Sequence, residues 1–580
     1  MLHRFHMEMF NSCRVEYMFR IPLTRSDMTR YSSRIRMHRW LWMQAAIAVL
    51  TMLFARGPGV HGQDLGTWEL LVDNAGIAAM HAAVTRFGTV VLLDRTNTGA
   101  SQIALPDGVC RDSNDMVLKH DCTAHSVLFD PSTNSVRPLT IQTDTWCSSG
   151  QFMPDGTLMQ TGGDFEGVRK VRTFTPCPAT ETCDWVESTE LILASPRWYA
   201  TNQLLPDGHQ IIIGGRSAFN LEYMPPSAAS SAAALYFDFL NATNDAQNDN
   251  LYPFVHLLPD GNLYIFANQD SIVYNYVANA VVKRFPKIPG GPRNYPSAGS
   301  SVMLPLLASN QFSTVEILVC GGAQYGAYLE PWKHLPCSTT CERITVTDID
   351  PIWVEEIMPV ARCMGDMVLL PTMDVLIING AAKGSQGWGN AIEPVLNPVQ
   401  YSTYAAPGER FTTMAPSTIP RLYHSTASLL QDGRILLAGS NSHQFYTFTG
   451  DFPTELRIDA FSPPYLAPSQ AGNKPTISVY PLVITYSAPF TVTVSAPLAM
   501  AGVSVNLISA PYNTHSYSQG QRLVSLNVGG IVQVAQASVY QITVTAPPSP
   551  SVAPPGYYMM VAVNQGVPSS AVWIQCSQGM

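Results

Sequence analysis

The sequence predicts an all-β protein, a seven-bladed β-propeller followed by an immunoglobulin-like β-sandwich. Three observations carry that prediction. Charged residues are only 13% of the 580, against 44 Pro and 40 Gly, a turn-rich balance foreign to helical proteins. A hairpin of apolar strand, tight turn and apolar strand recurs at intervals of about 52 to 60 residues. Past Asp459 the pattern changes to short alternating strands.

At the amino end, Arg39 is followed by an uncharged run, Trp40 to Ala55, and then Gly-Pro-Gly-Val-His-Gly62. The run is short for a transmembrane helix and suits a signal-peptide core. Residues 1–62 therefore read as a targeting segment, with the mature chain beginning near Gln63 and the protein secreted to the cell exterior or wall. Membrane association is expected only if the segment persists as an anchor, and Met37 is a candidate alternative start. The segment holds nine of the 33 basic and three of the 42 acidic residues, so the remainder carries a net charge of −15. Such a body repels nucleic acid and anionic lipid.

Residues 63–458 hold the repeat. Phe87 to Asp94 is a degenerate first copy. The clear ones are Phe152 to Gly163, Leu204 to Gly215, Leu257 to Asn268, Val315 to Gly322, Leu369 to Gly380 and the copy ending at Ser440. Pro-Asp-Gly makes the turn in three of them, and Gly-Gly ends a strand where backbones crowd. A period near 50 with Gly-Gly strand ends is that of a kelch-like propeller. Residues 459–580 open on Phe461-Ser-Pro-Pro-Tyr465 and continue as short strands such as Phe490 to Val494 and Tyr557 to Val563, the spacing of a sandwich.

Eleven cysteines fit a secretory context. The sequence-close pairs Cys110/Cys122, Cys177/Cys183 and Cys337/Cys341 are expected disulfides. Cys147, Cys320, Cys363 and Cys576 remain, and spacing does not pair them. Asn241-Ala-Thr243 is a glycosylation sequon.

Three stretches sit at corresponding places before their hairpins: Asp144-Thr-Trp-Cys147, Arg197-Trp-Tyr199 and Arg421-Leu-Tyr423-His424. Corresponding places in a propeller share a face. Tyr423 and His424 are neighbours, and strand neighbours point apart, so a shared site requires a backbone bend there or a place at a strand entrance. His515, in an Asn-Thr-His-Ser loop of the last domain, is a further candidate. Two phenols and two imidazoles form the N,O donor set preferred by Cu(II), with no thiolate cluster for zinc and too few carboxylates for calcium. His120 and His125 read as packed or hydrogen-bonded residues, and Asp155, Asp207, Asp260 and Asp432 as turn formers. Tyr223, Tyr295 and Trp388 read as packing residues, with a substrate channel as the alternative. Arg197 and Arg421 read as supports for their tyrosines.

The sequence resembles the copper radical oxidases, the group of glyoxal oxidase and galactose oxidase, and most closely the glyoxal oxidase branch. The stretches that carry the resemblance are Lys119 to Asp130, Asp144-Thr-Trp-Cys-Ser-Ser-Gly150, Arg197-Trp-Tyr-Ala-Thr-Asn-Gln203, Arg293-Asn-Tyr-Pro296, Arg421-Leu-Tyr-His-Ser425, Phe452-Pro-Thr-Glu455 with Phe461 to Tyr465, and Thr514-His-Ser516. It runs from about Trp68 to the carboxyl end. It implies one copper ion held by Tyr199, Tyr423, His424 and His515. It also implies a thioether between Cys147 and Tyr199 as a built-in radical cofactor, with Tyr423 as the base. The implied reaction takes small aldehydes such as glyoxal or methylglyoxal to carboxylic acids, reducing O2 to H2O2, which peroxide-using enzymes would consume. One departure is visible: Ser217 stands where galactose oxidase has a Trp stacked over the modified tyrosine, with Phe219 a candidate replacement. A primary alcohol oxidase on the same cofactor and a non-catalytic glycan- or partner-binding propeller are the competing readings.

Overall fold

The computed structural model describes residues 64–577 apart from 114–116, 179–180, 227–232, 497–499, 501 and 536–537. The targeting segment expected at 1–62 lies outside the described residues. Among the described residues no helix is long and apolar enough to cross a membrane.

Seven blades of four strands each form a propeller, six as separate four-stranded sheets and the first as part of a six-stranded sheet. Their inner strands are His81–Val84, Ser149–Phe152, Thr201–Leu204, Phe254–Leu257, Ser300–Met303, Asp366–Leu369 and Ser425–Leu429, for blades 1 to 7 in that order. Each expected repeat copy carries the second strand of one blade. The turn aspartates act as expected: Asp155, Asp207, Asp260 and Asp432 each accept the backbone N–H two residues on, an Asx turn.

Blade 7 is built from both ends of the propeller sequence. Its strands Ser425–Leu429, Ile435–Gly439 and Ile458–Ser462 are completed by Thr67–Val72, with Trp68 opposite Phe461. The expected sandwich start at 459 therefore falls inside a propeller strand. Asp459 pairs with both Leu437 and Leu70, so the blade runs through Ser462, and the Pro-Pro that follows marks the end.

The sandwich has two sheets. Thr476–Val479, Pro489–Ser495, Val539–Thr545 and Asn527–Ala535 make one; Ser504–Ser509, Leu523–Ser525, Gly556–Asn564, Val572–Ser577 and Val483–Thr485 belong to the other. Leu306–Leu307, from the first hairpin connection of blade 5, joins the second sheet in parallel with Leu523–Ser525. The apolar core is accordingly continuous, with Val492, Leu507 and Ile542 of the sandwich packed in one cluster with Met303 and Ile317 of blade 5. Residues from Leu65 onward form one compact unit.

The element that matters most for function is the hairpin Tyr512–Thr514 and Tyr517–Gln519. It leaves the sandwich, pairs with the inner strand of blade 1 (Ala82 opposite Asn513), and occupies the central channel. Inside the channel it exchanges hydrogen bonds with several blades. Tyr517 Oη accepts from Val255 N–H and donates to Val255 C=O. Gln519 accepts from Asn202 N–H, and Asn513 donates to Ser428 Oγ.

Disulfides join Cys110 to Cys122 and Cys177 to Cys183, as expected. The expected Cys337–Cys341 pair is wrong: Cys320 bonds Cys341 and Cys337 bonds Cys363. Strand register explains it. Cys341 lies directly opposite Cys320 in blade 5, and their Cα atoms are 4.0 Å apart. Cys337, outside that ladder, reaches the start of blade 6 instead. Cys147 and Cys576 are free and buried.

Candidate active site

A backbone kink repeated from blade to blade assembles the site. One or two residues before each inner strand of blades 2 to 7, the chain takes a left-handed conformation: Cys147 (φ 51°), Tyr199 (66°), Tyr252 (47°), Ala298 (43°), Met364 (48°) and His424 (61°). Such values are uncommon for residues with a Cβ. Tertiary hydrogen bonds hold two of these kinks in series, Tyr199 N–H to Cys147 C=O and Tyr252 N–H to Tyr199 C=O, both 2.9 Å. The kink turns each side chain toward the mouth of the channel. It also supplies the bend that Tyr423-His424 requires, and the two consecutive rings stack face to face at 3.8 Å and 26°.

Gly-Gly strand ends make room for this crowding. A Cβ on Gly162 would lie 2.0 Å from Arg197 C=O, and one on Gly163 would lie 2.0 Å from Asp144 C=O. These carbonyls belong to the segments that carry Tyr199 and Cys147. Arg197 is buried and bonds Glu222 and Gly214 C=O; Arg421 does the same with Asp459 and Gly439 C=O. They fix the backbone two residues before the tyrosines and do not touch the rings' oxygens.

The five expected site residues meet at one place. Cys147, Tyr199, Tyr423, His424 and His515 are all at most 4% exposed. Cys147 Sγ lies 3.1 Å from His515 Nε2 and 3.9 Å from His424 Nε2. The Tyr199 and Tyr423 oxygens are joined through a third phenol, Tyr295, at 3.1 Å to each. Tyr252, at the kink position of blade 4, lies under His515 with ring centres 5.0 Å apart. Aligning the repeats by kink position would have found Tyr252; nothing periodic marks Tyr295.

His515 sits at the tip of the channel hairpin, and its tautomer follows from its partners. His81 Nε2 faces both Thr145 C=O and Ser148 Oγ at 3.2 Å; the carbonyl only accepts and the hydroxyl can accept, so the proton is assigned to that nitrogen. His81 Nδ1 then accepts from Thr514 Oγ1 at 2.8 Å. Thr514 Oγ1 in turn accepts from His515 Nδ1–H at 2.6 Å. This leaves the lone pair on His515 Nε2, facing Cys147 and the other site residues. His81 was invisible to sequence reasoning, because its blade has no kink and no paired motif.

Burial pushes His424 and His515 well below the usual histidine range, so both are neutral imidazoles, the ligating form. Burial pushes the phenols of Tyr199 and Tyr423 and the thiol of Cys147 well above their ordinary values. A bound cation reverses that preference for phenols. His424 Nδ1 is buried without a hydrogen-bond partner. The donor set therefore fits Cu(II): two neutral imidazoles, and two phenols that ionise only beside a cation.

Above the phenols opens a cavity of about 620 Å³ walled by Trp146, Trp198, Tyr328, Trp332 and Trp388, with Arg216 at its side. Tyr295 and Trp388 line it. Tyr223 does not: it pairs with Ile211 in blade 3 and donates to Tyr276 C=O. Phe219 packs between blades 3 and 4, so it does not replace the Trp absent at Ser217. The rings over Tyr199 are Tyr295, stacked at 4.3 Å and 28°, and Trp198 at 4.8 Å and 34°. His125 is buried against Asp121, as expected of a packed residue; His120 is exposed beside Asp112.

A propeller plugged by a hairpin of its following sandwich, with this donor cluster at the channel mouth, defines a galactose-oxidase-like protein. Residues 80–465 match the family described as glyoxal oxidase N-terminus, and residues 474–576 the galactose oxidase-like early set domain. The chain belongs to the glyoxal oxidase family. It is 56% identical to aldehyde oxidase GLOX of Vitis pseudoreticulata over 512 residues, covering 88% of this chain and 97% of that one. It is 42% identical to aldehyde oxidase GLOX1 of Arabidopsis thaliana over 523 residues, covering 88% and 84%. A solved structure, described as a novel fungal alcohol oxidase of the AA5 family in complex with copper, shares the fold at TM-score 0.69 and 19% identity, covering 89% of this chain and all of that one.

Proposed function

We infer that this protein is a copper radical oxidase that converts small aldehydes to carboxylic acids and reduces O2 to H2O2. The observation that carries the reading is the convergence of two phenols that line one aromatic cavity with two neutral imidazoles and a thiol buried beside them. Tyr199, Tyr423, His424 and His515 would hold the copper. Bound copper supplies a Lewis-acid position for the substrate oxygen and accepts one of the two electrons removed.

The chain's own residues do the rest. Cys147 Sγ bonds a ring carbon of Tyr199 ortho to its oxygen. Two hydrogens leave, and O2 takes them as H2O2. The thioether spreads an unpaired electron and makes Tyr199 easier to oxidise. An aldehyde reacts as its hydrate, which carries both a C–H and an O–H. Tyr423 as phenolate takes the hydroxyl proton, and the Tyr199 phenoxyl takes the hydrogen atom from carbon. The sum is RCH(OH)2 + O2 → RCOOH + H2O2. The tryptophan walls offer apolar contact to a substrate's carbon frame, and Arg216 and the phenols offer polar contact to its oxygens. Aldehydes are favoured over alcohols by the names of the relatives above 40% identity.

The four disulfides among the described residues support secretion into an oxidising space. There the peroxide would feed peroxide-using enzymes.

Intact-mass analysis of copper-loaded protein beside Cys147→Ser tests the cofactor. The wild type should be two hydrogens lighter than its sequence after allowing for the disulfides, and the variant should not. Unmodified Cys147 and Tyr199 in active protein would sink the radical mechanism. Peroxide release with glyoxal, methylglyoxal, glycerol and galactose separates aldehyde from alcohol oxidation, and silence with all four favours a binding propeller.

A further inference from the structure

We propose that Tyr295 is a positioning residue for the redox-active phenol, its ring capping Tyr199 and its hydroxyl linking the Tyr199 and Tyr423 oxygens in one hydrogen-bonded line. The proposal rests on the radical-oxidase reading above and adds a residue to it.

Geometry singles this tyrosine out. Its ring lies over Tyr199 at 4.3 Å and 28°, close to parallel. Its hydroxyl is 3.1 Å from the oxygens of both Tyr199 and Tyr423. A tyrosine used only as filler usually sends its hydroxyl to a carbonyl or to solvent, and a phenylalanine would pack as well. Here the hydroxyl's partners are the two phenols expected to do the chemistry.

The ring is also held still. Arg293 is buried and bonds Pro289 C=O and Gly321 C=O. Asn294, fully buried, donates to Tyr252 C=O at 3.0 Å and accepts from Asn268 N–H at 2.8 Å. The two residues before the position are thereby fixed to blades 4 and 5, and Tyr295 itself bridges Leu251. Only 7% of it is exposed, on the cavity floor.

Proton counting gives the line a direction. Tyr295 has one hydroxyl proton. An oxygen that has lost its proton can only accept, so beside an ionised Tyr199, Tyr295 donates to Tyr199 and accepts from Tyr423 once Tyr423 holds a proton. A hydrogen bond donated to a phenolate stabilises it over the neutral phenoxyl, and so raises the potential at which Tyr199 gives up its electron. The stacked ring covers one face of Tyr199 in a chain that has Ser217 in place of a stacking Trp, and would keep water from the radical.

Tyr295→Phe removes only the hydroxyl, and Tyr295→Leu removes the ring as well. Both would be prepared as full-length, copper-loaded protein. Copper content and the two-hydrogen mass loss report whether each variant is assembled. Optical redox titration then reads the Tyr199 couple directly. At the wild-type midpoint the oxidised-to-reduced ratio should rise roughly tenfold in Tyr295→Phe, the worth of one hydrogen bond to a charged group. In Tyr295→Leu the radical should also decay several-fold faster in anaerobic buffer. Cross-linked variants with wild-type midpoint and decay overturn the proposal while leaving the oxidase reading intact. A wild type with no cross-link and no radical overturns both. Should the leucine variant not assemble, the phenylalanine variant decides alone, because it deletes one atom and keeps the packing.

Discussion

Thr514→Val is the sharpest test of how the channel hairpin presents His515. The hydroxyl bridges His81 Nδ1 at 2.8 Å and His515 Nδ1 at 2.6 Å, in a place where both rings are buried. Valine nearly matches the shape and removes both hydrogen bonds. His81 Nδ1 loses its donor and His515 Nδ1–H loses its acceptor. Each orphaned buried group costs about 1–3 kcal/mol, so the fold should lose roughly 2–4 kcal/mol after some relaxation. A second loss is specific to the metal. Without the acceptor on Nδ1, nothing holds the proton there, and the lone pair on Nε2 is no longer assured. Loss of such an outer partner typically lowers metal affinity about 10–100-fold. Chelator competition gives the copper affinity, a thermal melt gives the stability, and Thr514→Ser, which keeps the hydroxyl, should restore both. A valine variant that melts lower yet binds copper as tightly as the serine variant would refute the tautomer argument and leave the hydroxyl a purely structural role.

Other variants probe the frame. In Gly163→Ala the new methyl would meet Asp144 C=O at a backbone φ of +132°, displacing the Cys147 segment; intact mass should show the thioether incomplete or absent. Arg197→Met leaves the buried Glu222 carboxylate with only the Ala194 and Ser195 N–H groups and no counter-charge, which should cost about 3–5 kcal/mol and lower the urea midpoint accordingly. Burial pushes Asp366 up to about 7, so the folded state keeps a proton that the unfolded chain releases near pH 4. Its contribution is full below pH 4 and lost as pH rises to 7. Wild type measured against Asp366→Asn should therefore lose about 2–4 kcal/mol over that window and change little above it; a flat difference would show that Asp366 titrates normally.

The propeller was legible because each blade carries its own turn chemistry. Pro-Asp-Gly and Gly-Gly state a backbone requirement that no tertiary contact is needed to read. Cys147, Tyr199 and His424 were legible for the same reason, as they occupy one position of a repeat. Residues that reach the site from outside the repeat were harder. Tyr295 comes from the connection between blades 4 and 5, and Trp332 from an insertion in blade 5, where no period sets an expectation. His81 matters only through a hairpin that arrives from another domain. The cysteine pairing failed at Cys337 and Cys341 because sequence proximity competed with strand register, and register decided. The sandwich start failed by one strand, because blade 7 closes across Ile458–Ser462.

The hairpin Tyr512–Gln519 also sets a timetable. Every other site residue is synthesised before it, yet His515 and the filling of the channel come with one of the last segments of the chain. A propeller that folded before residue 512 was made would hold Cys147, Tyr199, Tyr423 and His424 around an unplugged channel, without one of the proposed copper donors. On the proposed ligand set, redox activity would wait until the sandwich has folded and seated its hairpin. A chain stopped short of residue 512 would make no peroxide during transit, and only a finished molecule could arm itself.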